Sequence, residues 1–391
     1  MRTSGEADVE GCDAAQGLID GYKTAWRDVL ARQKSLLTAI NQQLHSSLIM
    51  SSEQTPVKYV RLGKSGLRVS VPIVGCMSFG SSSWQGWVLN EDKALPLLKA
   101  AWDRGITTFD TANVYSNGES ERIVGKFIQT NNIPRNKIVV MTKCWGIVAD
   151  TPDPVTHFMQ HLRNTRDYVN QSGLSRAAIF NAVEASLERL GTSYIDLLQI
   201  HRYDPNTSAE ETMCALHDLV RSGKVRYIGA STMLTWQFSE YNHVAEKNGW
   251  TQFVSMQNQY SLLYREEERE MIPYCLHKGI GLIPWAPLAD GNLARPLTAE
   301  TTQRQATSGF NRPLSDGDKK IISTVEELAK KHNVPMAQIA MAWAMLKVSS
   351  PIIGMSSPSR LEDAILKDFK LTEDDVKRLE EPYGVKEAQH Y

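Results

Sequence analysis

The chain has 391 residues, 42% of them hydrophobic, with 43 basic residues against 44 acidic ones and a formal charge of -1. This is globular composition, and the length suits one barrel-sized domain or two average ones. The even charge balance argues against nucleic acid or an anionic membrane as a main partner, and no apolar run approaches the ~20 residues that span a bilayer.

Residues 1–15 are acidic and contain glycine, unlike a signal or transit peptide. From about Ala14 to Met50 the pattern turns helical, with Leu18, Tyr22, Trp26, Val29, Leu37, Ile40 and Leu44 forming one apolar stripe. That stripe reads as a partner-binding or membrane-surface helix, as a flank packed on the domain, or as residues translated from an upstream start. Met50 is then a second natural beginning. Residues 1–56 are accordingly expected to be an extension that the domain at 57–391 does not need.

Val57–Ser70 carries Gly-Lys-Ser-Gly between two alternating runs, a hairpin signal. Short apolar runs then recur at Val71–Gly75, Ile106–Asp110, Ile138–Lys143, Ile195–His201, Val225–Ser231, Phe253–Gln257, Ile280–Trp285 and Pro351–Gly354. Helical stretches separate them: Glu91–Arg104, Ser120–Thr130, Arg176–Leu190, Ala209–Ser222, Trp236–Asn248, Glu266–Lys278 and Asp318–Leu346, the last split near Asn333-Val-Pro335. Several runs lack polar alternation, as expected of strands buried on both faces of a parallel sheet. Eight strand–helix units predict an α/β fold, a (β/α)8 TIM barrel with an N-terminal hairpin. A doubly wound open sheet would want a G-x-G-x-x-G turn after its first strand, and the chain has none. Ala149–Ser175 and Leu293–Ser315 are long insertions that follow strand C-termini, where barrel loops build active sites.

Four residues converge on that rim. Asp110 ends the second barrel strand, Tyr115 follows in its loop, Lys143 ends the third and His201 the fourth. A carbonyl that accepts hydride needs a proton and hydrogen-bond donors for the charge developing on its oxygen. An ammonium beside Tyr115 is expected to pull the phenol's pKa below its usual ~10, toward the working range. Asp110 would hold Lys143 charged, and His201 would orient the carbonyl. A lone Asp or Tyr after a strand would read as a cap or a packing residue, whereas a lysine ending a buried strand is already suggestive; four such residues on one rim read as catalysis.

Five cysteines, Cys12, Cys76, Cys144, Cys214 and Cys275, are scattered without a C-x-x-C pair, which reads as reduced thiols in a cytoplasmic protein. Cys144 beside Lys143 is either an activated thiol or a buried bystander, and the bystander reading carries more weight. No His/Cys/Glu cluster has metal-ligand spacing, so no metal is expected.

The run Gly105-Ile-Thr-Thr-Phe-Asp-Thr-Ala-Asn-Val-Tyr115, with Gly118-Glu-Ser-Glu121, Met141-Thr-Lys143 and Asp196-Leu-Leu-Gln-Ile-His201, resembles the aldo-keto reductases. So do Gly223-Lys-Val-Arg-Tyr-Ile-Gly-Ala-Ser231, Gln257-Asn-Gln-Tyr260 and Trp285-Ala-Pro-Leu288, and the likeness runs from about Tyr59 to Glu381. Within that family the chain looks most like fungal reductases of the versiconal hemiacetal acetate reductase kind. The resemblance implies NADPH-dependent reduction of an aldehyde or ketone (NADP+ being the oxidised form) and a catalytic tetrad at Asp110, Tyr115, Lys143 and His201. It also implies that Ser231 and Gln257 hold the nicotinamide carboxamide, that Trp285 faces its ring, and that Leu288 and Gly291 border the pyrophosphate.

The last unit reads Gly354-Met-Ser-Ser-Pro-Ser-Arg360. Ser357 followed by Pro358 is a helix start, and Ser356, Ser357 and Arg360 beside it suit a phosphate, favouring NADP over NAD. A merely capped surface helix is the plainer alternative. Relatives commonly continue with Glu-Asn where this chain has Asp363-Ala364, which puts an adenine contact in doubt.

Trp84, Trp87, Trp145, Tyr203 and Trp236 fall in the rim loops. Aromatic walls with few charges suit a small-molecule carbonyl substrate that is bulky or aromatic. A cofactor-binding regulatory subunit of a membrane partner, tethered through the N-terminal helix, is the alternative, since the family includes barrel proteins attached to potassium channels. The sequence leaves the oligomeric state open.

Overall fold

The structure, a computed structural model, describes residues 26–39, 57–156, 159–307 and 313–388. The chain divides into two units, residues 1–55 and 56–391. In the first, helix α1 spans 26–39 and exposes Trp26, Val29, Leu30, Leu36 and Leu37. The rest of the expected stripe, Leu18, Tyr22, Ile40 and Leu44, lies outside the described residues.

The second unit opens with an antiparallel hairpin, β1 (Lys58–Arg61) and β2 (Arg68–Val71). Eight parallel strands follow: β3 (Ile73–Gly75), β4 (Thr108–Asp110), β5 (Val139–Cys144), β6 (Ile195–Ile200), β7 (Val225–Ser231), β8 (Ser255–Gln257), β9 (Gly281–Leu282) and β10 (Ile352–Gly354). They pair in chain order, with β10 beside β3. The seam between the last two strands is closed by Ile352 N–H donating to the Pro284 carbonyl at 2.9 Å and Ser349 N–H to that of Leu282 at 2.9 Å. The predicted (β/α)8 barrel is the fold.

Helices α2 (Glu91–Asp103), α3 (Glu119–Thr130), α4 (Arg176–Leu190), α5 (Ala209–Arg221), α6 (Thr235–Lys247), α7 (Met271–Lys278), α9 (Asp316–His332) and α10 (Met336–Ala344) follow the barrel strands. Short serine and threonine caps start several of them: Ser175 accepts from Ala178 N–H, Ser208 from Glu211 N–H and Ser315 from Asp318 N–H. The α9–α10 break falls at Asn333, in the left-handed region at φ 52°, as the Asn-Val-Pro signal predicts. Two helical expectations change. Glu266–Lys278 is a 3-10 turn (Glu266–Glu268) and then α7, because Arg265 draws Glu268 into an ion pair and Glu270 leaves helical geometry at φ -138°. A helix missed by periodicity, α12 (Glu373–Glu380), buries little beyond Leu379 and Asp375 and is started by a Thr372–Asp375 capping box. The remaining short helices are α8 (Gln303–Thr307) and α11 (Pro358–Ala364).

Strand alternation sorts the core into two compartments. On β5, Val140 and Cys144 face the helices in the large outer core, while Met141 and Lys143 face the barrel axis. Ile73, Met141, Leu197, Ile283 and Ile352 form one apolar layer inside, sealed below by Leu62 and Val69 of the hairpin. Two residues further along the same strands the interior turns polar, with Lys143 registered against Gln199. A one-residue slip of β5 would aim Lys143 at the helices, so the apolar layer below it fixes the register of the polar layer above.

The hairpin turn depends on Gly63, at φ +58°, whose missing Cβ would lie 2.4 Å from the Gly279 carbonyl oxygen. That approach lets Lys64 N–H donate to the same oxygen at 2.7 Å. Gly249 shares the positive φ (+67°) but has open space around it. We therefore expect Gly63→Ala to lower stability by roughly 2–4 kcal/mol and Gly249→Ala by about 1 kcal/mol or less. Equal shifts of the two variants in chemical denaturation would show that the hairpin is not wedged against the barrel floor.

Candidate active site

β4 and β5 deliver the two central groups. Lys143, fully buried, donates to Asp110 Oδ2 at 2.5 Å, to the Thr111 carbonyl at 2.9 Å and to the Tyr115 hydroxyl at 3.3 Å. Its three ammonium protons thus have three acceptors. Asp110 takes the other half of the network: Oδ1 accepts from Gln199 Nε2 at 2.9 Å and from Gln257 Nε2 at 3.1 Å. Gln257 Nε2 also reaches Gln199 Oε1 at 2.8 Å. Four strands, β4, β5, β6 and β8, are therefore tied across the barrel axis at one level. Gln199 was not singled out from sequence; its position two residues before His201, on the inward face of β6, was the available signal.

Tyr115 sits on a loop that bends sharply, with Ser116 and Asn117 at φ 47° and 50°. The imidazole of His201 meets its ring edge-on, with centroids 5.9 Å apart. All four expected residues are brought together at the C-terminal mouth of the barrel. Asn117 fastens the first insertion to this loop: its amide donates to the carbonyls of Thr151 at 3.0 Å and Pro154 at 2.8 Å and accepts from Ala149 N–H at 3.2 Å.

The electrostatics differ from expectation at Tyr115. Burial raises the phenol's pKa above its ordinary value, and the Lys143 ammonium, pulling it down, does not overcome that effect. Burial also pushes Lys143 down, yet Asp110 and Tyr115 outweigh it and hold the amine above its usual range, hence charged. Cys144 points away from the site into the outer core, and burial pushes its thiol up to about 12, so it is the bystander.

A cavity of about 1320 Å³ opens over this cluster, lined among others by Asp110, Tyr115, His201, Ser231, Gln257, Trp285 and Gly354. Ser231 donates to the Gln257 carbonyl at 2.7 Å, and the Trp285 indole donates to Thr232 Oγ1 at 3.2 Å. Trp84 and Trp87 line the cavity, whereas Trp236 is 58% exposed and stacks edge-on against Tyr203. The walls also carry Arg202, Asp290 and Arg304, so the lining is more charged than the sequence suggested.

Leu288 packs on the hydrophobic core, and Asp290 lines the cavity instead. Gly291, at φ +91°, turns the chain so that Arg295 Nε reaches its carbonyl at 3.3 Å. Ser357 caps α11, and Arg360 reaches back to Ser356 Oγ at 2.7 Å, both on the exposed surface. Arg295 lies close enough to Arg360 that, after burial, the neighbouring charge lowers its pKa. Arg295 belongs to the second insertion and carried no sequence signal. Among the described residues, no group of three His, Cys, Asp or Glu side chains could hold a metal ion, and no helix is long and apolar enough to cross a membrane.

A family profile described as the Aldo/keto reductase family matches residues 73–383. The chain belongs to that family. It is 53% identical over 357 residues to an aldo-keto reductase of Fusarium vanettenii, covering 89% of this chain and 96% of that protein. It is 51% identical over 337 residues to versiconal hemiacetal acetate reductase of Aspergillus parasiticus, covering 84% of this chain and 97% of the relative. A putative aryl-alcohol dehydrogenase of Schizosaccharomyces pombe is 54% identical over 346 residues, with 85% and 97% covered.

The buried pair allows a stability test of this geometry. Lys143→Met leaves the Asp110 carboxyl enclosed without its partner, and we expect a loss of about 3–5 kcal/mol. Adding Asp110→Asn should restore a substantial part of it, because the unpartnered carboxyl is gone. A double variant no more stable than Lys143→Met, in equilibrium denaturation, would show that the two groups do not interact as the distance implies.

Proposed function

We propose that this aldo-keto reductase reduces an aldehyde or ketone to the alcohol with NADPH, Tyr115 acting as proton donor. The observation that carries the reading is the hydroxyl of Tyr115 at 3.3 Å from a fully buried Lys143 that is itself clamped by Asp110 at 2.5 Å. A reduced nicotinamide bound in this cavity would supply the hydride for the carbonyl carbon. Tyr115 gives its proton to the carbonyl oxygen, and Lys143 stabilises the phenolate charge left behind. Asp110 keeps Lys143 charged and fixed, and Gln199 and Gln257 keep Asp110 fixed in turn. His201, at the mouth beside Tyr115, orients the carbonyl oxygen.

The residues fit the dinucleotide. The cavity runs from the tetrad past Gln257 and Trp285 to Gly354, whose missing Cβ would lie 3.2 Å from both Ser78 Oγ and Arg304 Nη1. Trp285 offers a flat face, Ser231 sets the backbone of Gln257, and Gln257 Oε1 can accept from a carboxamide. Leu288 supports the turn at Gly291 from the core side. Ser356, Ser357 and Arg360, with Arg295 beside them, form a cationic, hydroxyl-rich surface that suits a 2′-phosphate.

Tyr115→Phe should remove most carbonyl reduction, at least about a hundredfold in kcat, with NADPH binding nearly unchanged. Nicotinamide oxidation with aromatic aldehydes and quinonoid ketones is the assay; parallel loss of NADPH binding would make the tyrosine structural. The raised phenol pKa has a defined sign. Protonated Tyr115 is the active form for reduction, so kcat/KM should stay level through neutral pH and fall only above about pH 10. Alcohol oxidation, which needs phenolate, should rise over that same alkaline range. A reductive profile that declines between pH 6 and about 8 would contradict it. Arg360→Ala should weaken NADPH at least about tenfold while leaving NADH little changed; equal weakening of both would remove the 2′-phosphate assignment.

A further inference from the structure

A second, smaller cavity of about 370 Å³ adjoins the main one, and His201, Arg202, Val114 and Thr156 line both. Its remaining wall comes from Trp145, Gly146 and Ile147 and from Arg163, carried by the first insertion. The Arg163 guanidinium lies 4.2 Å from the centre of the Trp145 ring. Its Nε and Nη2 are buried and have no hydrogen-bond partner among the described residues, and the same is true of the Trp145 indole nitrogen. Among the described residues, no aspartate or glutamate lines this annex. Asp204, the carboxylate whose charge acts on Arg163, is committed elsewhere, accepting from Leu174 N–H at 2.7 Å, Thr207 Oγ1 at 2.9 Å and Asn206 N–H at 3.1 Å.

A buried donor without an acceptor costs about 1–3 kcal/mol, more when charged. Several such donors on residues that wall one small space, beside a histidine and a second arginine, call for an acceptor-only group there. The annex is also placed on purpose: Trp145 is held at φ 152°, a conformation bulky residues rarely adopt, and its carbonyl is fastened by Gly173 N–H at 2.8 Å where the insertion returns.

We infer that the annex is an anion subsite, and that the physiological substrate carries a carboxylate close to its reducible carbonyl, received by Arg163 and the Trp145 N–H. The proximity follows from His201, which lines the annex and stands beside Tyr115. This substrate class rests on the reductase reading of the main cavity, but the subsite itself can be tested apart from turnover.

Benzoate and benzamide, nearly equal in shape, are titrated calorimetrically into the full-length protein and its variants. The wild type should bind benzoate at least about tenfold tighter than benzamide, since charge-assisted hydrogen bonds exceed neutral ones by that margin. Arg163→Met should collapse that ratio, and Arg163→Lys, which keeps the charge, should retain part of it. In turnover, the ratio of kcat/KM for 2-carboxybenzaldehyde over its methyl ester should fall in the same order. Equal binding of the two probes by the wild type, or a ratio unmoved by Arg163→Met, would overturn the inference. Selective benzoate binding with no aldehyde reduced would keep the subsite and end the reductase reading.

Discussion

Everything at the mouth of this barrel is arranged around one buried ion pair, Asp110 with Lys143. A charge enclosed in protein costs several kcal/mol unless its partner and its remaining hydrogen bonds are all supplied. Here Lys143 satisfies three acceptors and Asp110 receives three donors, drawn from four strands. Such a closed network leaves few alternative arrangements, because moving any strand breaks a bond that water cannot replace at that depth. The pair therefore orders the same rim whose chemistry it tunes.

The layer below explains how a chain can build it reliably. Met141 and Leu197 pack in the barrel axis one step beneath Lys143 and Gln199 on the same strands. Apolar burial of that lower layer sets the register, and the period of two then carries the polar side chains to the rim. A second buried pair works from outside the barrel: Glu121 of α3 binds Arg189 of α4 at 2.6 Å and takes the Thr142 hydroxyl at 2.5 Å. Thr142 lies between Met141 and Lys143 on β5, so the outward residue anchors the strand whose inward residue pairs with Asp110.

This division decides what the sequence could reveal. The strand runs and most helices were legible because each carries a periodic apolar face, and Asp110, Tyr115, Lys143 and His201 were legible because strand ends are chemically conspicuous. The α9–α10 break was legible in Asn333 and Pro335. Gln199 was missed because a glutamine inside an apolar run has no chemistry of its own until Asp110 is seen beside it. Asn117 was missed because its work, holding Thr151 and Pro154, depends on an insertion with no periodicity. Arg163 and Arg295 lie in such insertions too, and only tertiary placement distinguishes them from solvated surface cations. α12 escaped because it is short and its apolar face consists of only two residues, Val376 and Leu379.

The one reversal in the electrostatics, at Tyr115, bears on direction. Proximity to an ammonium alone would favour phenolate and so a base, which suits alcohol oxidation. Burial adds desolvation, which penalises the charged form, and desolvation wins. The resting group is then a phenol, an acid already placed 3.3 Å from the cation that will stabilise its conjugate base. In the proposed reduction, a site that holds the neutral donor in the ground state beside an ammonium would interact more strongly with the transition state than with the bound carbonyl. Burial of Tyr115, rather than its distance from Lys143, thus sets which form of the phenol rests there.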